Sequence, residues 1–292
     1  LYMQMSNRNK GLLMSVFGVF ILSPDSLLIR LANLSDLSLI FYRGALPPIT
    51  IILFLIIYYK GNIAKSFLLM GKAGIIYALL HSLMFITFVY SIQHTAVANT
   101  LVIIASAPIF TAILSVIFLK ENPKPLTWVI IFFALISIVI IGWGSFITTG
   151  FTGDVLALIT GILMAACAIV VRYYKNLDLV PACVVGCLLT ALYALPFSPE
   201  LTINISQIIY LSLMCFIILP IPFIILTIAP RLIPAPEVTL IFLLESILGT
   251  LWVWIIINEQ PPLNTLIGGI MLLCSVFLFV FITAKEEYSA NV

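Results

Sequence analysis

Residues 98–123 read ANTLVIIASAPIFTAILSVIFLKENP, and they align without a gap with residues 236–261, which read PEVTLIFLLESILGTLWVWIIINEQP. The alignment places Glu121 on Glu259 and keeps a proline two residues later in both stretches. The aligned polar and turn-forming residues carry the comparison, because apolar matches arise easily between any two membrane segments. The pairing therefore predicts a chain made of two related halves.

The composition of the chain is typical of a membrane protein. Of its 292 residues, 63% are hydrophobic and only 8% are charged, whereas soluble domains carry about 25% charged residues. Such a chain cannot cover its surface with polar groups, so we expect its solvent to be lipid. The net charge of +2 is small and the basic residues form no patch, so no nucleic-acid partner is expected.

Ten apolar segments are long enough to cross a membrane, since a transmembrane helix needs about 20 predominantly apolar residues. Barrel strands are alternating segments of about ten residues, so the longer runs of this chain predict helices. We expect an all-α integral membrane protein with ten transmembrane helices. The predicted segments, named span 1 to span 10 in chain order, are residues 11–31, 36–59, 72–92, 97–119, 126–146, 153–173, 180–197, 206–228, 234–257 and 263–284.

The basic residues indicate the orientation of these spans, because Lys and Arg accumulate on the cytoplasmic side. With a cytoplasmic N-terminus, eleven of the 13 Lys and Arg residues fall on the inner side, and only Arg30 and Arg43 fall on or near the outer side. This asymmetry predicts that both termini are cytoplasmic and that the number of spans is even. The eleven are Arg8, Lys10, Lys60, Lys65, Lys72, Lys120, Lys124, Arg172, Lys175, Arg231 and Lys285.

The two halves hold five predicted spans each. An odd number means that the second half inserts upside down relative to the first. The charges agree, because Lys120 and Lys124 of the inner loop are replaced by Asn258 and Pro262 in the equivalent outer loop. Inverted repeats are the architecture of many secondary transporters, in which one site opens to alternate sides. The predicted organisation is a cytoplasmic N-terminus (1–10), a first repeat (11–147), a second repeat (148–284) and a cytoplasmic tail (285–292).

The repeated stretches resemble the drug/metabolite transporter superfamily, specifically its EamA-type members. In that family the fourth and ninth spans start with small residues, contain a Glu-Pro-like step and end in a Gly/Lys-Glu pair. The first half of this chain keeps Pro108 of that step, and the second half keeps Glu245. Glu121 and Glu259 match the terminal glutamate, and Arg172 is similar to the family's basic residue at the end of span 6.

This resemblance covers essentially the whole chain. It implies ten helices, a central cavity lined by spans from both halves, and export or exchange of metabolites. Glu121 and Glu259 lie at loop boundaries, and we expect them to hold the turn between the last two helices of each half. Pro108 and Arg172 are expected to be structural as well.

Two polar residues lie near the middle of predicted spans, where a charged side chain costs roughly 2.5–3.5 kcal/mol on insertion scales. Glu245 in span 9 is either a cavity carboxylate, which binds a cationic substrate group or carries a coupling proton, or a protonated acid bonded to neighbouring backbone. His81 in span 3 is either a partner of Glu245 or a neutral histidine bonded to a serine or a carbonyl. Both are candidate substrate-binding residues.

Further candidates lie nearer the span ends. Asp25 and Arg43 carry opposite charges roughly 10 Å from the outer face, at a rise of about 1.5 Å per residue. They either form a structural ion pair, or a substrate carboxylate competes with Asp25 for Arg43. Asn99 and Glu237 start spans 4 and 9 at equivalent positions, as expected helix caps and secondary substrate-binding candidates. The aromatic candidates for the cavity wall are Phe85, Tyr90, Tyr42 and Trp252.

The predicted function is that of a secondary transporter in the cytoplasmic membrane, because no nucleotide-binding sequence is present to power transport. It would move a small metabolite, such as an amino acid or a related amphipathic compound, by alternating access as an exporter or exchanger, with protons as candidate coupling ions. The first alternative is a channel or a membrane scaffold. A membrane-embedded enzyme is the second, although the HExxH, GxGD and GxSxG sequences of such enzymes are absent. No cofactor or metal is expected, and the chain is a monomer or homodimer.

Overall fold

The structure is a computed structural model, which describes only part of the chain. The described residues are 7–60, 63–120, 150–197, 201–233 and 235–271, together with 129, 132–133, 136–137, 139–140, 143, 273–275 and 278. The side chains of residues 7–9, 236, 237, 240 and 243 are also outside the description. Glu121 and most of predicted span 5 lie outside the described residues. Within the described ranges the regular structure is entirely helical, without strands.

Seven helices in these ranges are long and apolar enough to cross a membrane, which confirms seven predicted spans to within a few residues at each end. Spans 1 to 4 are Lys10–Ala32, Asp36–Tyr59, Gly71–His94 and Val97–Leu119, and spans 6 to 8 are Phe151–Tyr173, Val180–Phe197 and Ile205–Leu232. Span 9 contains the helices Ala235–Ile241 and Leu243–Ile257, span 10 contains the shorter apolar helix Leu263–Ser275, and the short helix Ile63–Leu69 joins spans 2 and 3.

Several spans are broken helices, and the breaks fall at prolines. A proline has no N–H to donate and its ring clashes with the preceding turn, so a helix ends before it. The pieces are Asn7–Leu22 and Asp25–Ala32 in span 1, Asp36–Ala45 and Pro47–Tyr59 in span 2, Val97–Ile104 and Ala107–Leu114 in span 4, and Ile205–Leu213 and Pro220–Leu232 in span 8. One π-helical turn, Ser115–Leu119, ends span 4, and another, Met214–Ile218, precedes Pro220.

The two repeated stretches are broken at the same place. Span 4 is interrupted at residues 105–106, and span 9 is interrupted at Phe242. The gapless sequence alignment places Phe242 on Ile104, so the two interruptions differ by about one position. The break in span 9 leaves Glu245 in the first turn of the helix that follows.

Each of the two opposite ends of the helix bundle, named after Glu259 and Lys175, holds polar contacts between segments. At the Glu259 end, Arg30 Nε lies 3.3 Å from Glu259 Oε2. At the Lys175 end, Arg231 Nε donates to the Lys175 carbonyl at 2.8 Å. Between the ends the bundle exposes large apolar side chains such as Leu53 and Leu83, as expected for a surface that faces lipid.

Close packing between spans 2 and 7 depends on Gly44. A Cβ atom on Gly44 would lie 2.4 Å from the backbone N of Ala191 and 2.7 Å from the carbonyl oxygen of Cys187. Small residues let the backbones of membrane helices approach closely. Gly44 therefore sets the distance between these spans, and with it the position of the neighbouring Arg43.

We expect Gly44→Ala to lower the thermal stability of the purified protein, because the added methyl group collides with backbone atoms that cannot rotate away. Overpacking of this kind costs roughly 1–3 kcal/mol. Gly161→Ala is the matched control, since its Cβ would meet its nearest neighbour, in Ile104, at 3.6 Å. Equal melting temperatures for the two variants would contradict this assignment.

Candidate functional site

A cavity lies between the two halves of the chain and is called the central cavity below. Its volume is about 80 Å³, counted as the space open to the centres of water molecules. One water needs about 10–15 Å³ by this measure, so the cavity holds several. Spans 1 to 4 of the first half and spans 6, 8 and 9 of the second contribute lining side chains. The breaks in the two repeated stretches both border the cavity, since Ala105 in span 4 and Phe242 in span 9 line it.

Two of the charged groups of the central cavity form a buried ion pair. Arg43 Nη1 donates to Asp25 Oδ1 at 2.6 Å, and Arg43 Nη2 donates to Asp25 Oδ2 at 2.9 Å. The side chains are 1% and 3% exposed. Such bidentate pairs are the strongest and most directional that arginine forms with a carboxylate. The structure thus brings together the two residues whose opposite charges the sequence placed at equal depth.

The surroundings of Arg43 hold its guanidinium group in place. Its carbon Cζ lies 5.0 Å from the ring centre of Phe85 and 5.6 Å from that of Phe88, which are cation–π distances. Arg43 Nη1 also lies 2.9 Å from Met214 Sδ in the π-helical turn of span 8. The third nitrogen, Nε, has no hydrogen-bond acceptor among the described residues.

Asp25 is placed by the break in span 1. It is the first residue of the helix Asp25–Ala32, directly after Pro24. The partial positive charge at the N-terminus of a helix stabilises a carboxylate there. The proline that interrupts span 1 therefore creates the position in which an ionised aspartate is tolerated inside the bundle.

Glu245 brings a second carboxyl group to the central cavity, from the other half of the chain. It lies in the first turn of the helix Leu243–Ile257, and the next residue, Ser246, also lines the cavity. With Asp25, Arg43 and Glu245 all ionised, one positive and two negative charges face the same space. This excess of negative charge favours either a proton on Glu245 or a cationic group of a bound molecule.

The comparisons with known proteins concern the family and the fold of the chain. The sequence model of the EamA-like transporter family matches the chain twice, over residues 9–143 and 151–281. The chain belongs to the EamA-like transporter family. This confirms the resemblance to the drug/metabolite transporter superfamily, and it makes the chain a multi-pass integral protein of the cytoplasmic membrane with a two-repeat fold. Family membership also implies a small-molecule substrate and a lipid environment.

Two individual relatives are also named as transporters. An uncharacterized transporter of Archaeoglobus fulgidus is 24% identical over 277 residues, which cover 89% of this chain and 91% of that protein. The uncharacterized transporter YdfC of Bacillus subtilis is 28% identical over 183 residues, or 58% of each chain. One crystal structure superposes with a TM-score of 0.67 at 12% identity, covering 92% of this chain and 96% of that chain. The last likeness concerns the fold alone.

His81 lies next to the central cavity of this EamA-like protein but does not line it. It is 1% exposed, and neither ring nitrogen has a hydrogen-bond partner in the described part of the chain. Its ring stacks on Phe85 at a centroid distance of 5.3 Å and meets the edge of Phe223 at 4.8 Å. His81 thus supports two aromatic residues of the cavity wall, and it bonds neither to Glu245 nor to a serine or carbonyl.

Of the ten candidate substrate-binding residues, four line the central cavity: Asp25, Arg43, Phe85 and Glu245. Tyr42 and Tyr90 lie towards the Glu259 end, where the Tyr42 hydroxyl donates to the Leu201 carbonyl at 2.8 Å and the Tyr90 ring lies 6.1 Å from the ring of His94. Trp252 Nε1 donates to Ser23 Oγ at 3.1 Å. The position of the Glu237 side chain is outside the described residues.

Of the four residues expected to be structural, Glu259 and Arg172 contact other spans near the span ends, and Glu121 lies outside the described residues. Glu259 Oε1 accepts the backbone N–H of Val97 at 2.9 Å, so it caps span 4 of the first half in addition to ending span 9 of the second. Pro108 is the second residue of the helix Ala107–Leu114. Arg172 Nη1 lies 3.5 Å from the carbonyl oxygen of Pro230, which ties span 6 to span 8 at the Lys175 end.

Two features of the structure were not predicted from the sequence. Phe223 and Phe88 form part of the cavity wall, although nothing in an apolar run distinguishes them from lipid-facing phenylalanines. Asp154 is buried at the start of span 6 and contacts Thr95 and Asn99. Its only sequence signal was a carboxylate inside the first turn of an apolar helix.

We expect Arg43→Met to destabilise the protein by about 3–5 kcal/mol, because it leaves the Asp25 carboxylate buried without its counter-charge. The double variant Asp25→Asn/Arg43→Met should recover a large part of that loss. Arg30→Met, which opens a partly exposed pair, should cost much less, in the range of about 0–1 kcal/mol. Thermal unfolding of the four proteins provides the measurement. A double variant that is no more stable than Arg43→Met would contradict a coupled pair.

Proposed function

We propose that this protein is a secondary carrier that moves a small amphipathic metabolite across the cytoplasmic membrane by alternating access, as an exporter or exchanger. The observation that carries the proposal is the central cavity between the halves, with Asp25 and Arg43 from one half and Glu245 from the other. A channel needs a continuous polar path, whereas this cavity places its charged groups among aromatic and aliphatic walls. That combination suits a bound molecule with one polar end and one apolar end.

The helix breaks support a moving rather than a static structure. Span 4 and span 9 are interrupted at equivalent positions, and both interruptions border the central cavity. Discontinuous helices around a site at the repeat interface are typical of secondary transporters. We infer ten transmembrane helices in two inverted five-helix repeats, with both termini in the cytoplasm. Alternating access then follows from exchange of conformations between the repeats.

The charges of the cavity suggest the substrate class. Arg43 already binds Asp25 through two nitrogens, so its Nε edge is the part left for a substrate carboxylate. Glu245 would bind an amino group of the substrate or carry a coupling proton in its place. Amino acids and related amphipathic compounds satisfy both groups, with an apolar side chain against Phe85 and Phe223.

The inferred orientation predicts which loops face the outside. A cysteine at Leu201, exposed at the Glu259 end, should react in intact cells with a membrane-impermeant thiol reagent. A cysteine at Lys175 should react only after the membrane is permeabilised. The native cysteines are free, and four of the five are buried, so the parent protein serves as the background control. The opposite labelling pattern would contradict the inferred orientation and place both termini outside the cytoplasm.

Ligand binding is tested on purified protein in detergent, with a panel of amino acids, nucleosides, polyamines and sugar phosphates. A ligand that binds the folded state raises stability by RT ln(1 + [L]/Kd), which is about 2.7 kcal/mol at one hundred times Kd. We expect a hit among the amino acids, and we expect Glu245→Gln to abolish it. Asp36→Asn, a carboxylate of the Glu259 end outside the cavity, is the control and should keep the response. A hit that survives Glu245→Gln would place the site elsewhere.

A further inference from the structure

A second polar cluster lies near the Glu259 end, apart from the central cavity. It consists of Thr95, Asn99, Asp154 and Thr265, called the Asp154 cluster, and all four residues are buried. Thr95 and Asn99 belong to the first half of the chain, and Asp154 and Thr265 belong to the second. Gly153 makes the approach possible, because a Cβ there would lie 2.7 Å from the Cβ of Thr95.

The hydrogen bonds of this cluster leave one carboxylate oxygen without a donor. The Thr95 hydroxyl donates to Asp154 Oδ1 at 2.7 Å, and Asn99 Nδ2 lies 3.4 Å from the same oxygen. The Thr265 hydroxyl donates to Asn99 Oδ1. Asp154 Oδ2 is buried and has no hydrogen-bond partner among the described residues. A buried charged acceptor without a partner is strongly unfavourable, so the cluster is incomplete as it stands.

The contrast with Asp25 shows what is missing. Both aspartates are buried in the first turn of a helix, but only the Asp25 carboxylate accepts hydrogen bonds from Arg43, through both Nη nitrogens. No basic side chain pairs with Asp154 within the described ranges. The Arg30 guanidinium contacts the cluster at the backbone of Thr95, but it is engaged there by the Thr95 carbonyl oxygen and by Glu259. A positive charge other than the basic side chains of the described residues is therefore expected at Asp154.

The chemistry of the cluster suits a hard cation. Carboxylate, hydroxyl and amide oxygens are the ligands that such cations prefer. A cation of the size of Ca²⁺ or Na⁺ binds oxygens at about 2.3–2.6 Å, so two ligands at right angles lie about 3.4 Å apart. Asn99 Nδ2 lies 3.4 Å from both Asp154 Oδ1 and Thr95 Oγ1. Rotation of the Asn99 side-chain amide would exchange its oxygen and nitrogen. The oxygen would then lie 3.4 Å from Asp154 Oδ1 and from Thr95 Oγ1, and the nitrogen would donate to the Thr265 hydroxyl.

We propose that Thr95, Asn99, Asp154 and Thr265 form a binding site for a monovalent cation of the size of Na⁺. One carboxylate balances one positive charge, which favours a monovalent over a divalent ion. A proton on Asp154 Oδ1, donated to the Thr95 hydroxyl oxygen, would neutralise Asp154 as well, but it would still leave Oδ2 without a hydrogen-bond partner among the described residues. Because the ligands come from both halves, the bound ion holds the halves together at the Glu259 end. This role as a coupling-ion site rests on the proposed carrier function, whereas ion binding does not.

The site is tested on the full-length purified protein by thermal unfolding in NaCl and in choline chloride at constant ionic strength and pH. We expect a saturable rise of the melting temperature with Na⁺, which Asp154→Asn abolishes. Thr265→Val should raise the half-saturating Na⁺ concentration several-fold, and Thr95→Ser, which keeps the hydroxyl, should leave it nearly unchanged. Asp36→Asn is the matched control, an acidic residue of the same end paired with His94, and should respond like the parent protein.

The outcomes separate the ion site from the carrier function. Equal melting temperatures in both salts for the parent protein would overturn the proposal, since the cluster would then hold water or a proton. A Na⁺ response that persists in both Asp154→Asn and Thr265→Val would place the ion elsewhere and also overturn it. Glu245→Gln should keep the Na⁺ response while losing the response to the metabolite. If no metabolite binds but the Na⁺ response follows Asp154, the ion site stands and the carrier proposal fails.

Discussion

The ion pair between Arg43 and Asp25 is the constraint on which much of the bundle depends. An arginine in a membrane-spanning helix is costly unless its charge is balanced. Its planar guanidinium group binds a carboxylate most strongly in the bidentate geometry, with two parallel N–H···O hydrogen bonds. The Pro24 break supplies the carboxylate at a helix start, and Gly44 lets span 2 approach span 7 closely enough to bury the guanidinium. Spans 1, 2, 3 and 8 are thereby fixed around one point, which is also a wall of the central cavity.

The same physical rule explains the contrast between the three deep carboxyl groups. Asp25 has an arginine, Glu245 faces an open cavity, and Asp154 has neither a basic partner in the described ranges nor a donor for one oxygen. A charge removed from water requires a counter-charge, a hydrogen bond or a proton. The first carboxylate is satisfied by the fold, and the other two are the positions at which a mobile ligand or ion has a reason to bind.

The broken helices fit the inverted repeats proposed above. In that arrangement the two five-helix units meet at the centre of the bundle, where the interrupted spans 4 and 9 place helix ends and polar side chains at the central cavity. A further contact between the halves lies at the Glu259 end, where Glu259 caps span 4 of the opposite half.

The sequence by itself determined the elements that depend on local composition. The lengths of the hydrophobic runs placed seven described spans to within a few residues, and the repeated stretches that end in Glu121 and Glu259 indicated the family. Opposite charges at equal depth also indicated Asp25 and Arg43. Only the tertiary structure decided which helix faces turn inward, because nearly every face of these spans is apolar. That is why Phe223 was missed, and why Tyr42, Tyr90 and Trp252 were expected at a cavity that they do not line.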